Sequence, residues 1–193
     1  MHLLEHPAEI CGPAIYEQYM KRVSRYGHDV DFTTGFETGR VGDDNRIACL
    51  SGACFKLSGA ALRRYGFLPD ENFLYDEEIR YYERVHRLGG VPVYVPEVTV
   101  EHIGSLTIGK RSFNYFYYIF RNRLTYFRSI AGPRYGRYGR FTRLYASWCL
   151  DVLYSNLKRR NWEGIRGILC GVRDGLRGVT GPHGRHEAGM RTG

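Results

Sequence analysis

The sequence predicts an α/β fold: a partial mixed sheet with flanking helices over residues 1–109, followed by an α-helical C-terminal extension over residues 110–180. Three observations predict it. Before Lys110, short β-branched runs alternate with apolar residues at helical spacing. After Lys110 only the helical spacing recurs. The charge divides at the same place, with acids concentrated up to Glu101 and arginines dominant beyond it.

Taken in order, residues 8–15 (AEICGPAI) read as a short buried strand running into a Gly-Pro turn. Residues 16–46 are polar and carry Gly27, Gly35, Gly39 and Gly42, which predicts loops and short strands. Residues 47–57 (IACLSGACFKL) predict a strand pair or one kinked strand, broken at Ser51-Gly52. Ser58 is placed to N-cap a short helix over residues 60–64, which Tyr65-Gly66 ends. Phe67-Leu68-Pro69-Asp70 is then a turn. In the run Phe73-Leu74-Tyr75-Asp76-Glu77-Glu78-Ile79, three carboxylates stand where an aromatic stretch becomes a helix, expected over residues 76–88 from the spacing of Ile79, Tyr82, Val85 and His86. First-turn acids are ordinary helix-start signals, stabilised by the macrodipole and unpaired N–H groups. The same placement suits a general base held ionised at the rim of a sheet.

Val91-Pro92-Val93-Tyr94-Val95 and Val98-Thr99-Val100 predict two short strands divided by Pro96. Residues 112–130 predict a helix dense in aromatics, among them Phe113, Phe116, Tyr117, Phe120, Tyr126 and Phe127. Arg134-Tyr135-Gly136-Arg137-Tyr138-Gly139-Arg140 reads as a basic repeat that breaks helices and joins two of them. Phe141, Leu144, Tyr145, Trp148 and Val152 mark one amphipathic face, and Trp162, Ile165, Leu169, Val172 and Leu176 another. Residues 181–193 are polar and Gly-rich, which predicts a disordered tail.

A chain of 193 residues that is 43% hydrophobic can bury one well-formed core. Its net charge of +8 points to an anionic partner: nucleic acid, a phosphorylated substrate or an acidic membrane surface. Five scattered cysteines without a C-x-x-C pair argue against structural zinc and a disulfide framework, and for a reducing compartment. The sequence shows neither a membrane-length apolar run nor a signal-peptide start, so a cytoplasmic chain is expected, peripheral at most on the inner membrane face.

Six motifs in order carry a resemblance: Ile10-Cys11-Gly12-Pro13; Ser51-Gly52-Ala53-Cys54 with Arg63-Arg64-Tyr65-Gly66-Phe67; Phe73-Leu74-Tyr75-Asp76-Glu77-Glu78 with Arg84 and Gly89-Gly90; Val95-Pro96-Glu97 with Val100-Glu101-His102 and Gly104-Ser105; Tyr117-Tyr118 with Arg121-Asn122-Arg123; and the stretch from Gly171 to Gly178. Together they resemble the distal half of family 2 glycosyltransferases, of the bacterial rhamnosyltransferase-like kind that build cell-surface polysaccharides on a GT-A fold. Residues 1–109 then look like the acceptor-side half of such a domain, with the nucleotide-binding half and its D-x-D carboxylates absent, so a truncated chain, inactive alone, is expected. Asp29-Val30-Asp31 matches D-x-D as a string, but no buried strand presents it at a sheet's carboxyl edge. Asp43-Asp44-Asn45 reads as a turn.

The resemblance implies inverting transfer of a sugar from a nucleotide sugar to a polysaccharide or lipid-linked acceptor. It implies Glu78 as the base, with Glu77 as fallback, although the family usually shows Glu-Asp where this chain has Glu77-Glu78. Asp76 is read as the helix cap. Gly52, Ala53, Tyr75, Asp76, Arg84 and Arg121 are placed on the substrate side. Arg121 and Arg123 diverge around their helix, so at most one reaches the diphosphate, and Arg121 is the choice. His102, ending a β-branched strand, either ligates Mn²⁺ or Mg²⁺, contacts the diphosphate, or simply hydrogen-bonds backbone. A divalent metal is expected in a complete enzyme, and tight binding by this chain alone is not.

Arg143, Lys158, Arg159, Arg160, Arg166, Arg173 and Arg177 beside Trp148 and Trp162 suit helices lying on anionic lipid, or equally helices packed on the domain with solvated arginines. Two other classes stay open. A basic nucleic-acid-binding module fits the charge and the Arg-Tyr-Gly repeat, but shows no recognition-fold pattern and leaves Asp76-Glu77-Glu78 unexplained. A noncatalytic accessory remnant would keep the acceptor half alone.

Overall fold

The computed structural model describes residues 3–18, 21–24, 27–28, 30–37, 47–103, 108–131 and 135–183. The architecture is α/β, and the chain folds as two units: Met1–Leu68 with Glu78–Thr107, and Pro69–Glu77 with Ile108–Gly193. Among the described residues no helix is long and apolar enough to cross a membrane.

In the first unit a four-strand mixed sheet is organised around β1 (Ile10–Glu17). β2 (Arg22–Ser24) pairs antiparallel with Ile15, Tyr16 and Glu17 of β1. Two small ladders follow: β3 (Gly27–His28) pairs with β6 (Cys49–Leu50), and β4 (Val30–Asp31) with β5 (Phe36–Glu37). β7 (Lys56–Leu57) pairs antiparallel with Ile10 and Cys11, and β8 (Val93–His102) runs parallel to β1. Six successive buried residues, from Ile10 to Ile15, mark β1 as covered on both faces.

Two sequence expectations are corrected here. Gly12-Pro13 is not a turn: β1 runs through it, and the register with β8 shifts between Pro13 and Ala14. Proline lacks the N–H that a regular ladder needs, so pairing is interrupted there rather than the strand. Gly12 is needed for space, since a Cβ there would lie 2.7 Å from Leu50 Cδ2. Nor does Pro96 divide two strands. β8 is one element whose Pro96, Glu97 and Val98 bulge out between the Val95–Pro13 and Thr99–Ala14 pairs.

α1 (Gly59–Tyr65) forms as its caps dictate: Ser58 Oγ accepts from Ala61 N at 3.0 Å, and Gly66, at φ 77°, donates to Leu62 O at 3.0 Å. α2 (Glu77–Arg87) buries Ile79, Tyr81, Tyr82 and Val85 on one face. It ends at Gly89, whose φ of 77° needs glycine, while Gly90 N donates to Val85 O at 2.9 Å. His86 Nε2 bonds Ala48 O at 2.8 Å.

The second unit packs α3 (Phe113–Ala131), α4 (Tyr135–Lys158) and α5 (Trp162–Arg177). Ser112 Oγ caps α3 by accepting from Tyr115 N at 3.1 Å, and Asn161 Oδ1 caps α5 by accepting from Gly164 N at 3.2 Å. Phe120 stacks on Trp148 at 4.1 Å and Phe127 on Phe141 at 3.8 Å between ring centroids, and Tyr145 OH donates to Phe120 O at 2.9 Å. These rings join α3 to α4, each buried one contributing roughly 1.5–3 kcal/mol.

The Arg-Tyr-Gly repeat does not separate two helices. From Tyr135 it forms the first turns of α4. The apolar face read on α5 is not the one that packs on α3. Trp162, Leu169 and Leu176 are exposed, and the buried face is Gly164, Gly167, Ile168, Gly171, Asp174 and Gly175. The glycines let α5 lie directly on the α3 backbone: an added Cβ would stand 2.4 Å from Phe113 O at Gly167 and 2.4 Å from Tyr117 O at Gly171. Of the stretch read as a disordered tail, residues 181–183 are docked on α3, with His183 N donating to Tyr118 OH at 2.7 Å. Residues 184–193 lie outside the described ones.

Candidate functional site

The acidic turn is held in an unusual backbone conformation. Tyr75 and Asp76, neither of them glycine, have φ of 63° and 64°. Each such residue costs roughly 1–3 kcal/mol and persists only when its surroundings fix it. In the second unit that support comes from α3. Asn122 Nδ2 donates to Tyr75 O at 2.8 Å and to Leu74 O, while Asn72 Nδ2 reaches Tyr75 O at 3.3 Å. Arg123 grips Asp76 with two parallel bonds, Nε to Oδ2 at 2.9 Å and a terminal nitrogen to Oδ1 at 3.0 Å. The Tyr75 ring meets Tyr115 edge-on at 5.6 Å. Asp76 is therefore not the helix cap: it is buried, precedes α2 in a left-handed conformation, and has both carboxylate oxygens on Arg123.

Glu77 follows in the same unit. Its side chain is half-buried, with Oε2 shielded from solvent and without a hydrogen-bond partner. Burial raises its pKa above the ordinary carboxylate value, its own backbone N–H partly offsets this, and the Asp76 charge adds to the rise. Arg121, assigned by resemblance to the diphosphate, is fully buried in this structure. Its Nε donates to Asn122 Oδ1 at 2.9 Å and one terminal nitrogen to Gly181 O at 2.5 Å. The guanidinium lies 5.3 Å from the Tyr117 ring centroid and 4.9 Å from that of Tyr118, while its second terminal nitrogen has no hydrogen-bond partner. Nearby, Tyr117 OH donates to Asp174 Oδ2 at 2.9 Å and Arg173 Nε to Oδ1 at 2.8 Å. Burial pushes the Tyr117 phenol up to about 12.

In the first unit, Glu78 meets the Ser51-Gly52-Ala53 loop. A Cβ placed on Gly52 would lie 3.5 Å from the Glu78 carboxyl carbon. Gly52 and Ala53 are exposed, and Ser51 Oγ shapes the loop by accepting from Ala53 N at 3.3 Å. The loop thus offers the carboxylate a backbone wall with no intervening side chain. Tyr82, one turn along α2, has a fully buried hydroxyl without a hydrogen-bond partner. Its pKa is driven well up, chiefly by burial, with Cys49, Tyr81 and the Glu78 carboxylate adding to the rise.

The other candidates are placed elsewhere. Arg84 donates to Phe67 O and lies over the Tyr81 ring at 5.4 Å, so its guanidinium ties α2 to the turn that follows α1. His102 closes β8 in register with Glu17 of β1, whose Oε2 is buried without a hydrogen-bond partner. Among the described residues no three His, Cys, Asp or Glu side chains are grouped to hold a metal ion. Asp31 Oδ1 accepts from Thr33 N at 2.9 Å and Thr33 Oγ1 at 2.5 Å, an Asx turn within the β4–β5 hairpin. Asp29, Asp43, Asp44, Asn45, Gly104 and Ser105 lie outside the described residues.

The structure thus brings Glu78 to Gly52, and the Tyr75-Asp76 turn to Asn122 and Arg123. Sequence reasoning singled out Arg121 from the Arg-Asn-Arg motif and passed over the two residues that clamp the turn. Their alternation with buried aromatics on α3 was the available signal. It also passed over Tyr82 and Glu17, which carry no motif of their own. No protein-family model matches the chain, and no curated protein is significantly similar to it.

Proposed function

We propose that the chain contributes the acceptor side of an inverting glycosyltransferase of GT-A type, with Glu78 as general base. An acceptor hydroxyl attacks the anomeric carbon of a nucleotide sugar. As the new C–O bond forms, the bond to the leaving diphosphate breaks and Glu78 takes the hydroxyl proton. The observation that carries the reading is the half-buried Glu78 carboxylate beside the exposed, side-chain-free Gly52 of the Ser51-Gly52-Ala53 loop. The acceptor is a polysaccharide or lipid-linked glycan at the cytoplasmic membrane face.

The test is sugar transfer from labelled uridine, thymidine and guanosine diphosphate sugars to a lipid-linked acceptor extract, with the chain in its full reading frame. Glu78→Gln is expected to lower turnover roughly a hundredfold or more, the usual worth of a positioned base, with an unchanged circular dichroism spectrum. Turnover within threefold of the parent would remove Glu78 from this role.

A further inference from the structure

We infer that the outward face of α5, with the corner joining it to α4, docks on an anionic lipid surface. The inward face of α5 is taken up by glycine contacts with α3 and by Ile168, and Trp162, Leu169 and Leu176 lie outside the core. Trp162, Leu169 and Leu176 recur every seven residues and are 64%, 57% and 62% exposed, which makes them one row along the helix. Arg166, Arg173 and Arg177, all exposed, form the adjoining row. The corner continues the pattern, with Tyr154 59% and Leu157 53% exposed beside the exposed Lys158, Arg159 and Arg160. Lys158 Nζ sits 4.6 Å from the Tyr154 ring centroid. Trp148, grouped with these residues in the sequence reading, is stacked on Phe120 and does not belong to the face.

Apolar rows interleaved with arginine, with tryptophan and tyrosine at one end, match a membrane interface: rings and leucines enter the acyl boundary while guanidinium groups meet lipid phosphates. A second copy of the chain is a poorer occupant, because a self-complementary contact would set these arginines against one another. Nucleic acid would use the cations and rings but gain little from Leu169 and Leu176. The inference stands whether or not the chain transfers sugar, because lipid binding is read without any substrate.

The test is flotation of the full chain with phosphatidylcholine vesicles containing about 30% phosphatidylglycerol, against pure phosphatidylcholine. Trp162 emission is followed in a Trp148→Phe background. Binding to the anionic vesicles alone is expected, with a blue shift and quenching by brominated lipid. Arg159→Gln/Arg166→Gln/Arg177→Gln should weaken binding roughly a hundredfold, given about fivefold per basic residue at such a surface. Leu169→Ser/Leu176→Ser should weaken it about tenfold or more, and these exposed sites leave the fold intact. Three outcomes overturn the inference: equal binding to neutral vesicles, anionic binding indifferent to both leucines, or a concentration-dependent dimer that buries Trp162 without lipid. Salt-sensitive RNA binding in place of vesicle binding would overturn it as well.

Discussion

Replacing Arg123 by methionine leaves Asp76 as a buried carboxylate without its two-bonded partner. The two side chains are 11% and 7% exposed, so water can restore little of the lost hydration. Breaking such a pair costs roughly 3–5 kcal/mol. The same break frees Tyr75 and Asp76 to leave the left-handed region, returning roughly 1–2 kcal/mol of the strain at that turn. A net loss of about 2–3 kcal/mol is expected, large against the roughly 5–15 kcal/mol of a typical domain but survivable. Tryptophan fluorescence during urea unfolding is a suitable readout. Both tryptophans belong to this unit, and the Arg123 guanidinium lies 5.8 Å from the Trp148 ring centroid. In a double-mutant cycle, Asp76→Asn/Arg123→Met should recover at least about half of the loss, since the stranded charge is gone. An Arg123→Met variant within about 0.5 kcal/mol of the parent, or a cycle without coupling, would refute the clamp.

Gly171→Ala should destabilise by about 1–2 kcal/mol in the same urea assay, because a Cβ 2.4 Å from the Tyr117 carbonyl forces α3 and α5 apart by more than helix propensity returns. Gly139→Ala, where an added Cβ meets nothing within 4 Å, should instead stabilise by up to about 1 kcal/mol; equal effects of the two would discredit the backbone contact. Burial raises the Glu77 carboxyl above its ordinary value, so the folded chain holds that proton more tightly than the unfolded one, and this group's contribution falls as pH rises from the ordinary carboxylate range through the raised value. Unfolding midpoints at pH 4 and pH 7 should show Glu77→Gln gaining on the parent at the higher pH, whereas a variant that loses ground there would mean the carboxylate has a favourable partner.

Much of the local structure is legible where one residue has one physical consequence. Ser58 and Gly66 delimit α1, and Ile79, Tyr82 and Val85 face inward as their spacing requires. Reading failed where a partner supplied by the fold decided the outcome. Gly12-Pro13 and Pro96 look like breaks, yet pairing between β1 and β8 carries each strand past its proline through a shifted register. Which way the apolar row of α5 faces was left open by its spacing, and the glycines opposite it decide the matter by allowing a closer approach to α3 than any leucine can. At the candidate site the acidic run and the Ser51-Gly52-Ala53 loop were visible, and so was the aromatic Arg-Asn-Arg helix. The left-handed Tyr75 and Asp76 were not, because tyrosine rarely takes that conformation, aspartate takes it only in a minority of cases, and the bonds from Asn122 and Arg123, far along the chain, hold it.

The bond from Arg121 to the carbonyl of Gly181 spans 60 residues, and during synthesis the donor leaves the ribosome long before its acceptor. At ~5–20 residues per second, this interval is about 3–12 s. Throughout it only the adjacent Asn122 Oδ1 replaces part of the hydration that the guanidinium gives up on settling among Tyr117 and Tyr118. The aromatic side of α3 is therefore completed last, when the segment beyond α5 arrives and Gly181 O accepts the hydrogen bond from Arg121.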